Sequence, residues 1–466
     1  MKFKNNNDIK RVKKFIPCGA AIILLILLLQ NICFTYLGKG NPKISGKDKT
    51  IYVTSDIHYL SDKLTDFKEA YQKYIAPGDG KQLRYIDQIM DAFVYDIQKA
   101  KPDMLIVNGD LTCNGEKESH KDLAKKFKAI EKSGTSVYVI PGNHDIFNPW
   151  ARSFKEDKQY VAENMSDRDF SNIYSDFGYD EAISRDENSL SYLAAPSDDL
   201  WLLMLDTNKY SDNISVGVPS ADGLLKMSTQ EWIKQCCEAA KEKGANIITV
   251  MHHNILDHSE VIRDGYTLNN SGQIRILLKE YQLNLVLSGH IHVQDISSDQ
   301  KDNPLYDIAS GALSVYPHQY GILKYSDQEK SLDYSTKSVD MEAWAKNKQV
   351  KDKELLNFKS YSEEYFGKIA YNMAYKSLEK TDYTKEQIKL MAETMKTLNL
   401  RYFSGTENLN SKDIIHSEGY KLWADYPDSF LKTYIASILV DKDMDDTRLH
   451  LRFNNTYNNE NPPTDD

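Results

Sequence analysis

The sequence predicts an α/β protein, a layered β domain flanked by helices, with an apolar segment before it and a helical region after it. Three observations predict this. From Thr50 onward, short runs of β-branched and aliphatic residues alternate with stretches of helical spacing. From about Met341 the strand-like runs give way to long helical patterns. Between these limits Asp, His and Asn gather at the ends of the strand-like runs.

At 466 residues the chain is long enough for a catalytic domain plus a smaller unit. The net charge of −10 argues against a stable nucleic-acid complex, which requires a basic stripe. It does not exclude a small phosphorylated substrate, because local charge at a site outweighs the global sum. A bound metal ion could supply the missing positive charge.

Lys2, Lys4, Lys10, Arg11, Lys13 and Lys14 make residues 1–14 a basic flank. Residues 15–37, from Phe15 to Leu37, then carry no charge. A membrane-spanning helix needs roughly 20 mainly apolar residues, so the run is long enough to be a signal-anchor. The basic flank is expected on the cytoplasmic side, which places the rest of the chain outside the cell membrane. A cleaved signal peptide and secretion are the alternative, although no small-x-small site follows the apolar run. Residues 38–49 form a polar linker. Outside the apolar run only Cys113, Cys236 and Cys237 remain, too few for a disulfide framework.

The β domain begins with the strand Ile51–Val53. Ile86, Ile89, Met90, Phe93 and Ile97 give one apolar face to a helix over Leu83–Ile97. Met104–Val107 is the next strand and Leu123–Ile130 the next helix. Strands follow at Tyr138–Ile140, Leu202–Leu205, Ile247–Met251 and Leu285–Leu287. Ser228-Thr229-Gln230-Glu231 has the form of a capping box, so a helix is expected through Trp232–Ala240. Strand patterns continue at Tyr320–Lys324 and Leu332–Val339. Residues 340–453 are expected to be a helical C-terminal domain, with helices at Tyr361–Leu378, Lys385–Leu398 and Ser429–Val440. Residues 454–466, rich in Asn, Pro and Asp, read as a disordered tail.

Successive strands end in Asp56-Ile57-His58, Gly109-Asp110, Gly142-Asn143-His144-Asp145, His252-His253 and Gly289-His290-Ile291-His292. Each has an ordinary reading: Gly142 suits a bend, and Asn, Asp and Gly make turns. Together they place potential ligands at the carboxyl ends of several strands, where α/β sheets bind ligands. A shared metal site explains the residue types. Two divalent ions need a bridging carboxylate and mixed nitrogen and oxygen ligands, and Asp110 is the natural bridge. Imidazole suits Zn and Fe, while oxygen ligands suit Mn.

In that order, Asp56/His58, Gly109/Asp110, Gly142–Asp145, His252 and Gly289–His292 resemble the calcineurin-like metallophosphoesterases. The stretches Gly109–Glu116 and Pro141–Pro149 are similar to secreted bacterial phosphohydrolases related to class III cyclic-nucleotide phosphodiesterases, some of which carry a helical C-terminal domain. The resemblance covers residues 50–339 and implies a metallophosphoesterase β-sandwich flanked by helices. It implies that Asp56, His58 and His292 hold one metal ion, that Asn143, His252 and His290 hold a second, and that Asp110 bridges them. It gives His144 the role of general acid or phosphate stabiliser and makes Asp145 a support for its loop. His253 is left as a supporting or cleft-lining residue.

The implied activity is hydrolysis of a phosphoester, a phosphodiester such as a cyclic nucleotide or alternatively a monoester. A surface binding protein on a phosphoesterase scaffold is the reading from another class. Specificity is expected from cleft walls such as Tyr160–Tyr192. The sequence leaves the choice among Mn, Fe and Zn, and the oligomeric state, open.

Overall fold

Strands buried on both faces set the architecture. β1 (Lys49–Thr54), β2 (Met104–Asn108) and β3 (Ser136–Ile140) pair in parallel. Every residue of β2 is buried, so it shows no polar alternation. The computed structural model describes residue 44 and residues 48–76, 78–299, 302–409, 411–439 and 445–453. The expected basic flank, the anchor over 15–37, most of the linker and the tail over 454–466 lie outside the described residues. Among the described residues, no helix is long and apolar enough to cross a membrane.

β13 (Gln319–Ser326) and β14 (Ser331–Ser338) extend the first sheet antiparallel beyond β1. β15 (Arg448–Arg452) closes its edge, within the stretch expected to be helical. The second sheet has the parallel strands β8 (Leu200–Leu205), β9 (Asn246–Met251), β10 (Leu285–Ser288) and β12 (Tyr306–Ala309) at its centre. β6 (Ala182–Arg185), β7 (Tyr192–Ala194) and β11 (Asp295–Ser298) flank them antiparallel. β4 (Arg152–Lys155) and β5 (Lys158–Val161) pair antiparallel as a separate two-stranded sheet.

Side-chain alternation builds the layers. Leu202, Met204, Ile248, Val250, Leu285 and Leu287 join the main core together with Ile51, Val53, Leu105 and Val107 of the first sheet. The alternate residues Trp201, Leu203, Leu205, Ile247, Met251 and Val286 form a second core on the opposite face. There they meet Ile233, Cys236 and Ala240 of α3 (Met227–Lys243) and Ile274, Leu277 and Leu278 of α4 (Ser271–Glu280). α1 (Ile86–Ala100) and α2 (Lys117–Glu131) bury Ile89, Phe93, Leu123 and Phe127 against the first sheet. Each large aliphatic side chain fully buried in this way contributes roughly 1.5–3 kcal/mol.

The expected capping box at Ser228 does not form. α3 starts at Met227, so Ser228 lies inside the helix, where it cannot cap, and Lys226 stands at the cap position without a side-chain bond. The first turn is tethered instead by Thr229 Oγ1, which donates to Asp186 at 2.6 Å, and by Gln230 Nε2, which donates to the Leu225 carbonyl at 2.9 Å.

The C-terminal helices are α5 (Met341–Asn347), α6 (Phe358–Leu378), α7 (Lys385–Ser404), α8 (Glu418–Asp425) and α9 (Phe430–Ile438). A Thr384–Gln387 capping box starts α7. Ala370, Met391, Met395, Leu398, Trp423 and Ile435 form their own core. Ile291 and Val293 belong to that core, so the C-terminal helices pack directly on the segment that carries His290 and His292.

Candidate metal centre

The polar strand ends converge where the two sheets meet. β1 delivers Asp56 and His58, β2 delivers Asp110 and β3 leads into Asn143 and His144. β9 and β10 of the second sheet deliver His252, His290 and His292. Asn108 Nδ2 donates to the Ser288 carbonyl at 2.8 Å and ties the two sheets together beside the cluster.

The backbone is strained where these side chains project. Asp56, His58, Asp110, His290 and His292 all have positive φ, from 46° to 69°. Non-glycine residues adopt this left-handed conformation uncommonly, at a cost of order 1–3 kcal/mol each, and such strain clusters at functional sites. The chain turns at Gly142 as expected, with Asp145 N donating to its carbonyl at 3.2 Å, but without positive φ. The reason for glycine is space: a Cβ there would overlap the backbone nitrogen and carboxylate of Asp110.

Donor atoms gather in two overlapping groups. Asp56, His58, Asp110 and His292 each place one ligand-type atom within 4.8 Å of the others, as do Asp110, His252 and His290. In the first group His58 Nε2 and His292 Nε2 are 3.0 Å apart. His58 Nε2 lies 3.6 Å from Asp110 Oδ2, and His292 Nε2 lies 3.3 Å from Asp56 Oδ1. In the second, His252 Nε2 lies 3.4 Å from Asp110 Oδ1 and 3.1 Å from Asn143 Oδ1. Such separations fit ligands that surround an ion at about 2.0–2.2 Å. Asp56 Oδ1 is buried without a hydrogen bond, as expected of an oxygen reserved for a cation.

Backbone carbonyls orient the rings. His252 Nδ1 lies 2.9 Å from the Asn108 carbonyl, which can accept only from a protonated Nδ1 and so leaves Nε2 toward the cluster. His290 Nε2 donates to the Gly265 carbonyl at 2.8 Å, so its Nδ1 is the free ligand atom. His253 is different: Nδ1 meets the Thr207 hydroxyl at 2.7 Å and Nε2 the Ala221 carbonyl at 3.0 Å, so the protein engages both nitrogens.

Protonation suits cation binding. Burial, reinforced by Lys81, holds His58 well below its ordinary pKa. Burial and His252 lower His290 to about 4. Burial works against the charge on Asp110, yet His252 and His144 hold its carboxyl well below the usual range. Asp56 is likewise lowered, with His292 outweighing burial. His252 is raised to about 9, because Asp110 outweighs burial, so a cation bound there competes with a proton.

Asn143 joins the second group through Oδ1, whereas His144 stands beside the cluster. Its Nδ1 donates to the Cys113 carbonyl at 2.7 Å, and its Nε2 is 4.0 Å from Asp110 Oδ2. Asp145 turns away into the protein. It accepts from the Leu111, Thr112 and Gly142 backbone nitrogens at 3.0, 2.9 and 2.8 Å and so clasps the Asp110 and Asn143 loops together. Burial, followed by repulsion from Asp110, raises it to about 7.

A cavity of about 450 Å³ opens beside His144, between Tyr74, Lys81, Asn114, Trp150 and Arg152. These walls lie outside the expected 160–192 loop, whose aromatics Phe170, Tyr174 and Tyr192 are buried in the main core. Lys81 carried no signal in the sequence, standing in a Gly- and Asp-rich stretch that reads as a turn. The carbonyls of Asn108, Cys113 and Gly265 were equally silent, since any residue supplies one.

Residues 49–294, just over half of the chain, match the calcineurin-like phosphoesterase family. Residues 340–445 match the family described as the C-terminal domain of cyclic nucleotide phosphodiesterase. The metallophosphoesterase-like protein YydB of Bacillus subtilis is 23% identical over 297 residues, covering 56% of this chain and 57% of YydB. A probable glycerophosphodiester phosphodiesterase, GpdQ, of Arcobacter nitrofigilis is 32% identical over 119 residues, covering 24% of this chain and 40% of GpdQ. The chain thus spans about half the length of these curated relatives. Among solved structures, a dimetal phosphatase from Danio rerio is similar over 63% of this chain and 97% of that one, at 14% identity and a TM-score of 0.41.

Proposed function

This chain belongs to the calcineurin-like phosphoesterase family, and from that premise we propose that it hydrolyses phosphoester bonds at a centre of two divalent metal ions. Asp56, His58 and His292 would hold one ion, Asn143, His252 and His290 would hold the other, and Asp110 would serve both. The observation that carries this reading is the convergence of the two donor groups on a shared Asp110 carboxylate. Bound ions of this kind neutralise phosphate charge and lower the pKa of a coordinated water.

The chain's own residues do the rest. Asp145 keeps the Asp110 and Asn143 loops in register. Asn108 and Gly265 keep a lone pair of His252 and of His290 directed inward. His144, fixed through Nδ1 by Cys113, presents Nε2 to the substrate. Burial lowers its pKa, and Lys81 lowers it further against the pull of Asp110, so the free imidazole is neutral at pH 7. The negative charge of a bound phosphoester favours protonation at Nε2, and from there the proton can pass to the leaving-group oxygen.

The substrate is a phosphodiester such as a cyclic nucleotide. The match of residues 340–445 and the printed activity of the Arcobacter relative support that choice. A phosphomonoester is the alternative. A turnover panel of cyclic nucleotides, linear diesters and monoesters, run with Mn, Fe and Zn, tests this reading. Diester turnover above monoester turnover is the expected result, and absence of turnover with every ester and metal would overturn hydrolysis itself. The basic flank and the uncharged run over residues 15–37 support an anchored protein with its catalytic domain outside the cell membrane. Protease added to wall-stripped cells should then degrade it.

A further inference from the structure

We infer that Lys81 is a substrate-binding cation of the cavity beside His144, and that the C-terminal helices hold it there. The inference rests on the phosphohydrolase reading above, because it assigns the anion that Lys81 receives.

Lys81 lines the same cavity as His144, and its side chain is only 10% exposed. A buried ammonium needs a compensating charge, and Asp79 supplies one at 2.7 Å. Asp79 is itself 62% exposed and stands at the same cavity, so the pair sits at its mouth rather than in the core. There the ammonium can keep Asp79 and still direct a donor to an anion, since it has three N–H groups.

The segment is anchored on two sides. On the inner side, Lys81 pairs through a β-bridge with Val315, and Gln82 N donates to the Ser314 carbonyl at 2.7 Å. Ser314 Oγ in turn donates to the Asp56 carbonyl at 2.8 Å, which links Lys81 to the metal-site backbone. On the outer side, α6 covers the segment. Gly80 has φ +95°, and a Cβ on it would lie 2.9 Å from the Phe366 ring. A Cβ on Gly78 would meet Ile369 at 3.1 Å. Phe366 also packs with Val315 and Ala312 in a small core of its own. The backbone before Lys81 thus lies between a C-terminal helix and the loop that supports Asp56. That contact gives the C-terminal helices a part in forming the cavity.

The test uses the metal-loaded full chain and two readouts, steady-state kinetics and calorimetric binding of inorganic phosphate. Removing one charge-assisted contact to an anion should cost about 10- to 100-fold. Lys81→Met should therefore weaken phosphate binding and lower kcat/KM by that order with metal content unchanged. Lys81→Arg should restore most of both. Phe366→Leu should raise KM while leaving kcat at saturation within about threefold. Unchanged phosphate affinity in Lys81→Met overturns the cation role, as does failure of Lys81→Arg to restore a loss. Unchanged KM in Phe366→Leu overturns the role of the C-terminal helices. If wild type turns over no ester, the hydrolase reading fails, while phosphate binding still decides whether Lys81 is an anion site.

Discussion

Two buried clusters in this protein use the same side chains in opposite ways. His258 lies between Asp295 and Asp307, with Nε2 3.1 Å from Asp307 Oδ2 and Nδ1 in close contact with Asp295. Asp307 also accepts from the Ile255 and Leu256 backbone nitrogens at 2.7 and 3.0 Å. Burial works against the charge on His258, but Asp307 and Asp295 outweigh it and raise the imidazole to about 10. One positive charge in this cluster comes from its own histidine. In the candidate metal centre the balance is reversed at His58 and His290, though not at His252, which Asp110 raises to about 9. His58 and His290 are held neutral and place ring nitrogens beside the Asp56 and Asp110 carboxylates. The residue types do not separate the two clusters; what separates them is that His258 carries its proton between two carboxylates, whereas His58 and His290 stay neutral beside theirs.

The largest effect that would sharpen this contrast is loss of a lone-pair histidine. His290→Ala should abolish turnover with good and poor leaving groups alike and reduce metal content, measured by elemental analysis. Retention of full metal content would remove His290 from the ligand set.

A smaller effect is expected at His144, which stands beside the cluster. A general acid contributes about 10²–10⁴-fold to rate and need not hold metal. His144→Ala should lose rate by that order and keep its metal. The loss should be greater for an ester of a nucleoside hydroxyl than for one of nitrophenol, whose anion departs without a proton. Equal losses for both esters would refute the proton-donor role.

The smallest effect lies in the His258 cluster and is on stability. Removing one partner of a buried ion pair costs about 3–5 kcal/mol, so His258→Asn should lower the midpoint of thermal unfolding at pH 6 without changing metal content. The folded pKa of about 10 lies above the ordinary 6.5, so the stabilisation is fully present below about pH 6.5. It is lost as pH rises toward 10, and the wild-type and mutant midpoints should converge over that interval. Loss of metal from His258→Asn would mean that the two clusters are not independent.

Much of this was legible because strand ends break the apolar pattern conspicuously. Asp56, Asp110, Asn143, His252, His290 and His292 each follow a run that is otherwise buried, and nothing in packing calls for a polar residue there. His258 lacks that context, standing six residues after His252 in an ordinary polar loop, so its partners on β11 and β12 were out of view. The alternation of Leu449 and Leu451 in Arg448–Arg452 is a period-two signal, but it is short and follows a long helical stretch. Close approaches were invisible for a different reason. The need for glycine at Gly142 and Gly80 comes from Asp110 and Phe366, residues distant in the chain that only the fold brings near.

The central claim is that Asp110 bridges two metal ions, and elemental analysis of wild type beside Asp110→Ala tests it most directly. Both proteins would be purified with added divalent metal and their ions counted per chain. The account predicts two per chain in wild type and fewer than one in Asp110→Ala, with turnover lost in the variant. Two ions per chain retained by Asp110→Ala would contradict it.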